Sequence, residues 1–121
     1  MNKPMILHQP ARVTISNQWR AEARLYGLTL NSIEVGLHSM VYREDFFGEG
    51  KSVHLLLDLP IFGSGNTNRF SVHLDGLIKQ TGVESSTGRI RLMIDIFPDV
   101  RTRKVLRLFI NQEYPTQVVV S

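Results

Sequence analysis

The sequence predicts an all-β fold, a small antiparallel β-barrel of six or seven strands followed by one C-terminal helix. Three observations predict it. Apolar and polar residues alternate in several short segments, as they do in half-buried strands. Glycine, asparagine and proline separate these segments at short intervals. The alternation gives way to helical spacing near the C-terminus, and closing such a sheet into a barrel removes its exposed edges.

The first half of the chain carries three predicted strands. Residues 12–15 alternate at strand period, and Ser16-Asn17-Gln18 supplies a turn. In residues 20–30 the apolar positions change phase at Gly27, and a glycine at a phase change predicts a β-bulge. Residues 31–36 are predicted to form a turn, and residues 37–42 the next strand.

The second half carries the remaining strands and the helix. Residues 53–59 form a strongly apolar strand that is predicted to stop at Pro60. Two further strands are predicted, with Phe70, Val72 and Leu74 on one face of the first and residues 90–96 in the second. Loops at 63–68 and 81–88 separate them, and a break at residues 48–50 precedes the strand at 53–59.

Helical spacing begins after Asp99, which is a candidate N-cap. The apolar positions of this helix are Val105, Leu106, Phe109 and Ile110, and Pro115 lies just past its predicted end. The chain therefore divides into an N-terminal arm at residues 1–10, a barrel with its terminal helix at 11–114, and a tail or last strand at 115–121.

Composition excludes several classes of protein. The chain of 121 residues has no cysteine, which rules out disulfides and thiolate sites. Its apolar runs are far shorter than the ~20 residues of a membrane span, and its first residues do not form a signal peptide. A net charge of +3 favours anionic partners only weakly. We therefore expect a cytoplasmic protein.

The sequence offers no convincing catalytic or metal site. The four histidines, His8, His38, His54 and His73, are dispersed, and the last two are expected to face outward. Residues 48–52 end in G-K-S like a phosphate-binding loop, but the first glycine of that motif is missing and a strand follows. We therefore expect neither an enzyme nor a cofactor.

Three segments, in this order, resemble the PilZ domain, a bacterial β-barrel with a terminal helix that serves as a receptor module for cyclic di-GMP. Residues 31–37, NSIEVGL, resemble the family turn [D/N]-x-S-x-x-G. Residues 47–60, FGEGKSVHLLLDLP, resemble its G-x-x-V-x-L-x-L-x-L-P strand. Residues 88–97, GRIRLMIDIF, together with the following helix, resemble its closing strand and terminal helix.

The family's ligand-binding residues are only partly present. The resemblance implies Asn31, Ser32 and Gly36 as candidate cyclic di-GMP contacts, but Ile33 stands where the family has a serine whose hydroxyl helps to hold the ligand. The family also places an R-x-x-x-R pair in the arm before the first strand. Residues 1–10 contain no arginine, and Arg12 stands alone at the start of the first strand.

Arg20 and Arg24 have the R-x-x-x-R spacing, but they fall in the second predicted strand, close to the turn. Residues four apart on a strand share a face, and with Glu22 they are predicted to form its solvated side. The arginine candidates for the ligand are therefore Arg12, Arg20 and Arg24, and the site as a whole is interpreted as eroded.

Two further features are candidates for an interaction surface. Arg101, Arg103, Lys104 and Arg107 place four cations on the polar side of the helix, where they form either a solvated face or a partner surface. The single tryptophan, Trp19, is either a lid on the barrel or an exposed contact.

Three functions remain open. The first is a PilZ-like domain of bacterial signalling or motility, in a pilus or flagellar system, that binds another protein and has an eroded nucleotide site. The second is a genuine cyclic di-GMP receptor with altered arginine geometry. A basic barrel that binds nucleic acid is the least favoured.

Overall fold

Six antiparallel strands and two helices make up the described part of the chain, residues 11–62 and 67–113 of the computed structural model. The predicted arm at 1–10, the tail at 115–121 and residues 63–66 of the predicted loop lie outside the described residues. The elements are β1 (Arg12–Ser16), β2 (Arg20–Leu28), β3 (Ser32–Leu37), α1 (Glu44–Phe47), β4 (Ser52–Phe62), β5 (Thr67–Val83), β6 (Ile90–Ile96) and α2 (Val100–Glu113).

The strands close into a barrel in the order β1-β2-β3-β6-β5-β4, which confirms the predicted all-β barrel with one C-terminal helix. Every neighbouring pair is antiparallel. Alternate residues of each strand point inward, and the described core contains only apolar side chains. The sequence predicts Ile90, Leu92, Ile94 and Ile96 on one face of β6; the last three are buried and Ile90 is half-buried.

The predicted bulge in the second strand is confirmed. Leu25 pairs with Val35 and Gly27 with Glu34, so Tyr26 is the extra residue of β2. A bulge redirects the side chains that follow it, which explains the observed phase change: Leu28 becomes buried although Ala21 and Ala23 set the opposite phase.

The predicted turn at residues 31–36 and strand at residues 37–42 are wrong. The strand is β3, Ser32–Leu37, and a turn follows it at residues 38–41. Ile33, Val35 and Leu37 are buried at strand period, so the segment fills the core like its neighbours. Gly36 lies within this strand, and the side chain of Tyr26 covers it.

The short helix α1 closes one end of the barrel and was not predicted. Its four residues place Phe47, which is 0% exposed, in the core. So short a helix is not stable by itself, because helix formation needs a costly first turn. Packing holds it in place: the rings of Phe46 and Trp19 stack with their centroids 6.2 Å apart.

Pro60 does not end β4, which continues to Phe62. The β1 ladder reaches only Asp58, so the edge of β4 beyond it needs no partner strand. The side chain of Gln112 covers this edge: its Nε2 donates to Pro60 O at 2.8 Å, and its Oε1 accepts from Phe62 N at 2.8 Å. Pro60 and Phe62 are two residues apart and present their backbone groups to the same side. The missing proline N–H therefore falls on an edge where no strand of residues 11–62 and 67–113 pairs with it.

The terminal helix α2 packs against the barrel through Leu106 and Phe109, as its spacing predicts. The N-cap prediction is also confirmed, since Asp99 Oδ1 accepts from Thr102 N at 2.8 Å. That hydrogen bond lowers the pKa of the Asp99 carboxyl. The predicted loop at 81–88 starts later, because β5 extends to Val83 alongside β6.

Candidate functional site

The candidate site is the outer face of β2, β3 and β6 around Gly36, where the sequence placed the ligand-binding turn. On β3 the outward residues are Ser32, Glu34 and Gly36. Arg91 of β6 lies in register with Gly36, and Arg24 of β2 lies on its other side. Because Gly36 has no side chain, it forms a depression between the charged residues Arg24 and Arg91.

The ring of Tyr26 lies over Gly36 and fills this depression. A Cβ at position 36 would stand 2.5 Å from the Cζ and Oη atoms of Tyr26. The bulge of β2 gives the ring this direction, and only a residue without a side chain beneath it allows so close an approach. Gly36 is therefore needed by the protein's own packing.

A network of ionic and hydrogen-bonding contacts holds the tyrosine in place. The guanidinium of Arg91 stacks over its ring at 4.9 Å from the centroid and pairs with Glu34 at 2.5 Å. The Tyr26 hydroxyl donates to Glu84 Oε1 at 3.1 Å, and Thr87 donates to the same oxygen at 2.6 Å. The second Glu84 oxygen lies 3.9 Å from Arg91. We call Tyr26, Glu34, Glu84 and Arg91 the tyrosine cluster.

The electrostatics of the tyrosine cluster fit this arrangement. The hydrogen bond from Thr87 lowers the pKa of the Glu84 carboxyl, and the Tyr26 hydroxyl and Arg91 act in the same direction. Partial burial raises the pKa of the Tyr26 phenol, and its contact with Glu84 raises it further. At neutral pH Glu84 is therefore a carboxylate and Tyr26 a neutral phenol.

Gly36→Ala tests whether the glycine serves the tyrosine. The added methyl group forces the ring away from Arg91 and Glu84, so we expect a loss of about 1–2 kcal/mol in the free energy of unfolding. In a Tyr26→Ala background the same change should cost less than about 0.5 kcal/mol, because the obstacle is gone. Chemical denaturation of the four proteins in this double-mutant cycle measures the coupling. Equal costs in both backgrounds would show that the ring does not lie over Gly36.

The three arginines predicted as candidate contacts for cyclic di-GMP separate into two groups. Arg12 and Arg24 line one open pocket of about 990 Å³ on the outer surface of β1 and β2, whereas Arg20, at the start of β2, does not line it. Arg89 and His38 line the same pocket, and so do three carboxylates, Glu22, Asp58 and Glu113. The side chains of Arg20, Glu22 and Arg24 are exposed, as predicted.

Asn31 and Ser32 do not reach this pocket. The backbone N–H of Asn31 donates to Thr29 Oγ1 at 3.1 Å, and its carbonyl accepts from Ile96 N at 3.0 Å. The Ser32 hydroxyl lies 3.0 Å from the Thr29 hydroxyl, so these polar groups stabilise the connection between β2 and β3. Ile33 is 1% exposed and contributes only to the core.

Trp19 is half-buried and packs against the core. Its Nε1–H donates to Val41 O at 2.9 Å, and Arg43 stacks over its ring at 4.5 Å. The ring of Phe46 stacks on the same indole with centroids 6.2 Å apart. These contacts tie the β1–β2 turn to the segment that leads into α1.

The remaining candidates lie away from the tyrosine cluster. Arg101, Lys104 and Arg107 are exposed on α2, and Arg103 is half-buried. His54 and His73 face outward, as predicted, and the fold brings their ring nitrogens within 3.1 Å of each other. Within residues 11–62 and 67–113 no group of three or more ligating side chains is arranged to hold a metal ion. No helix in this part of the chain is long and apolar enough to cross a bilayer.

Sequence reasoning missed the tyrosine cluster. Glu34 and Arg91 lie at outward positions of their strands, and their opposite charges are a visible signal once β3 and β6 are paired. Glu84 sits 58 residues from Tyr26 in the chain, and no local pattern joins them. The phase change at Gly27 was the one sign that Tyr26 is redirected.

Solved structures similar to this chain include two bacterial proteins. The structure of the Bacillus subtilis inhibitor of motility, MotI/DgrA, superposes with a TM-score of 0.68 at 13% identity and covers 88% of this chain. This chain spans about half of that one, 48% of its length. The PilZ domain of YcgR from Escherichia coli, solved with c-di-GMP, gives a TM-score of 0.56 at 14% identity, with 95% of this chain and 90% of that chain covered.

No protein-family model and no curated protein sequence matches the chain. The likeness is therefore one of structure. The closed six-stranded antiparallel barrel with its C-terminal helix agrees with both structures. The chain has the fold of a PilZ-like domain.

Proposed function

We propose that this chain is a non-enzymatic bacterial signalling and motility domain of the cytoplasm. In this proposal it acts by binding another protein, of a pilus or flagellar system, and its cyclic di-GMP site is eroded. The tyrosine cluster is the observation that carries the proposal. Similar folds in an inhibitor of motility and in a domain solved with c-di-GMP support the general setting.

The tyrosine cluster opposes a dinucleotide for steric reasons. A ligand that approached Gly36 closely would have to displace the Tyr26 ring, which packs directly above it. Displacement would also break the hydrogen bond to Glu84 and the stacking with Arg91. The cost of breaking these contacts must be subtracted from any binding energy.

The charges of the cluster oppose it as well. Glu34 and Glu84 place two carboxylates on this face, and like charges repel phosphates at short range. The guanidinium of Arg91, the group best suited to hold a phosphate, already contacts both carboxylates. With Ile33 in the core, residue 33 provides no hydroxyl at this surface.

A second candidate function is a genuine cyclic di-GMP receptor, and the pocket of Arg12, Arg24 and Arg89 favours it. Guanidinium groups are suited to bidentate contacts with phosphate and guanine. Three carboxylates line the same pocket, however, and Arg12 lies in register with Asp58. This balance of charge favours the eroded site.

Isothermal titration calorimetry with cyclic di-GMP separates the two. We expect no saturable heat for the native chain at ligand concentrations of about 100 μM, well above the micromolar range of a working receptor. Amide NMR spectra recorded with the ligand should match those without it. Low-micromolar binding that Arg12→Ala or Arg24→Ala abolishes would overturn the proposal. Arg20→Ala is the matched control, because Arg20 lies outside the pocket.

A further inference from the structure

The outward side of α2 combines exposed apolar residues with cations. Val100 is 74% exposed and Leu108 55%, and Phe97, three residues before the helix, is 65% exposed. Large apolar side chains at such exposure make contacts with water that a partner would remove. Arg101, Lys104 and Arg107 lie between them. We call these six residues the α2 face.

Helical geometry brings together the five members of the α2 face that lie on the helix. Val100, Lys104 and Leu108 follow one another at intervals of four residues, so they form a row along the helix. Arg101, Lys104 and Arg107 are spaced by three and extend over about 9 Å of its length. Leu106 and Phe109 point the other way, into the core, so binding at the α2 face does not require the helix to leave the barrel.

One cation of the α2 face, Arg101, lies near Asp99 and helps to lower the pKa of its carboxyl. None of Arg101, Lys104 and Arg107 forms an ion pair with a carboxylate of residues 11–62 or 67–113. The ion pairs of the barrel lie elsewhere, for example between Arg69 and Asp58 and between Lys79 and Asp95. Apart from the attraction between Arg101 and the Asp99 carboxylate, the charge of the α2 face is thus uncompensated within this part of the molecule.

We propose that the α2 face binds an acidic amphipathic helix of another protein. This inference rests on the proposed function, since it names the chemistry of the partner. A helix with carboxylates one turn apart matches the three-residue spacing of the cations, and its apolar residues cover Phe97, Val100 and Leu108. Charge complementarity of this kind sets the partner and the rate of encounter.

The terminal segments of this sequence lack the carboxylates that such an occupant needs. Residues 1–10 and 114–121 contain no aspartate or glutamate. A second copy that met the first through the same α2 face would place three cations against three cations. Val100 and Leu108 are aliphatic and cannot stack on bases, and Phe97 by itself is not the series of aromatic residues that binding of single-stranded nucleic acid uses.

Selection from a phage-displayed library of helical peptides tests the proposal. The native chain is the bait. Counter-selection against the double variant Lys104→Glu/Arg107→Glu removes peptides that bind outside the α2 face. We expect enriched sequences with net negative charge and leucine-type residues on one side. A synthetic peptide of the winning sequence should shift amide NMR signals of residues 97–108 and bind at least tenfold more weakly to the double variant. Lys51→Glu, a charge reversal at an exposed residue outside the α2 face, should leave its affinity unchanged.

Several results would overturn the proposal. These are no enrichment, enriched peptides without an acidic bias, and shifts outside residues 97–108. Binding of the native chain to phosphatidylglycerol vesicles or to oligonucleotides that the double variant loses would assign the α2 face to those partners instead. Thermal unfolding of each variant checks that it is folded. Calorimetry with cyclic di-GMP is run separately. Binding of cyclic di-GMP would contradict the eroded site, whereas a lack of peptide binding would contradict only the role of the α2 face.

Discussion

Phe47→Ala is expected to destabilise the domain by about 3–5 kcal/mol, which is the usual cost of removing a buried phenylalanine. Phe47 is 0% exposed and is the side chain through which α1 enters the core. A four-residue helix has little stability of its own, so the segment should detach when this contact is lost. Chemical denaturation measures the change in the free energy of unfolding.

The single tryptophan reports the same event locally. Trp19 stacks on Phe46, one residue before Phe47, and donates to Val41 O. Its fluorescence in the folded variant should therefore shift to longer wavelength as water reaches the indole. Phe97→Ala removes an equally large side chain that is 65% exposed and should cost less than about 1 kcal/mol. A similar cost for both variants would mean that Phe47 does not close the barrel.

The barrel could be predicted because its strands face water on one side and the core on the other. The alternation in residues 90–96 and the helical spacing after Asp99 are local signals, and the structure confirms both. The bulge at Gly27 could be predicted for the same reason, since a phase change is visible in the sequence alone. These elements are determined by residues close together in the chain.

The errors arose where distant residues decide the local structure. Gly36 resembled a turn residue, but the ring of Tyr26 covers it within β3. Pro60 resembled a strand end, but the side chain of Gln112, 52 residues away, satisfies the edge of β4 there. Such contacts depend on the pairing of elements, which the local pattern does not contain.

The candidate site was predictable in its location but not in its content. The motif at residues 31–37 indicated the outer face near Gly36, and the substitution at Ile33 indicated a lost hydroxyl. The tyrosine cluster, which joins four different parts of the chain, emerged only from the structure. The same holds for the pocket, where the fold brings Arg12 and Arg24 beside Arg89.

Gly76→Val is expected to destabilise the domain by about 3 kcal/mol through overpacking of the core. Gly76 points inward on β5, and a Cβ there would lie 2.7 Å from Ile94 Cγ2. It would also lie 3.3 Å from the backbone oxygen of Asp95 and 3.3 Å from Leu55 Cδ1. Ile94 and Leu55 are fully buried, so neither side chain has free space into which it can move.

Gly82→Val is the matched control, because Gly82 lies on the same strand and a Cβ there meets no atom within 4 Å. Valine is favoured in strands, so this change should alter the free energy of unfolding by no more than about 0.5 kcal/mol. Chemical denaturation of the two variants isolates the effect of space from that of strand propensity. If Gly76→Val were as stable as Gly82→Val, the close approach of β5 to Ile94 in the barrel interior would be wrong. A large loss confined to Gly76→Val is the expected result, since only there does the new side chain compete with the core for volume.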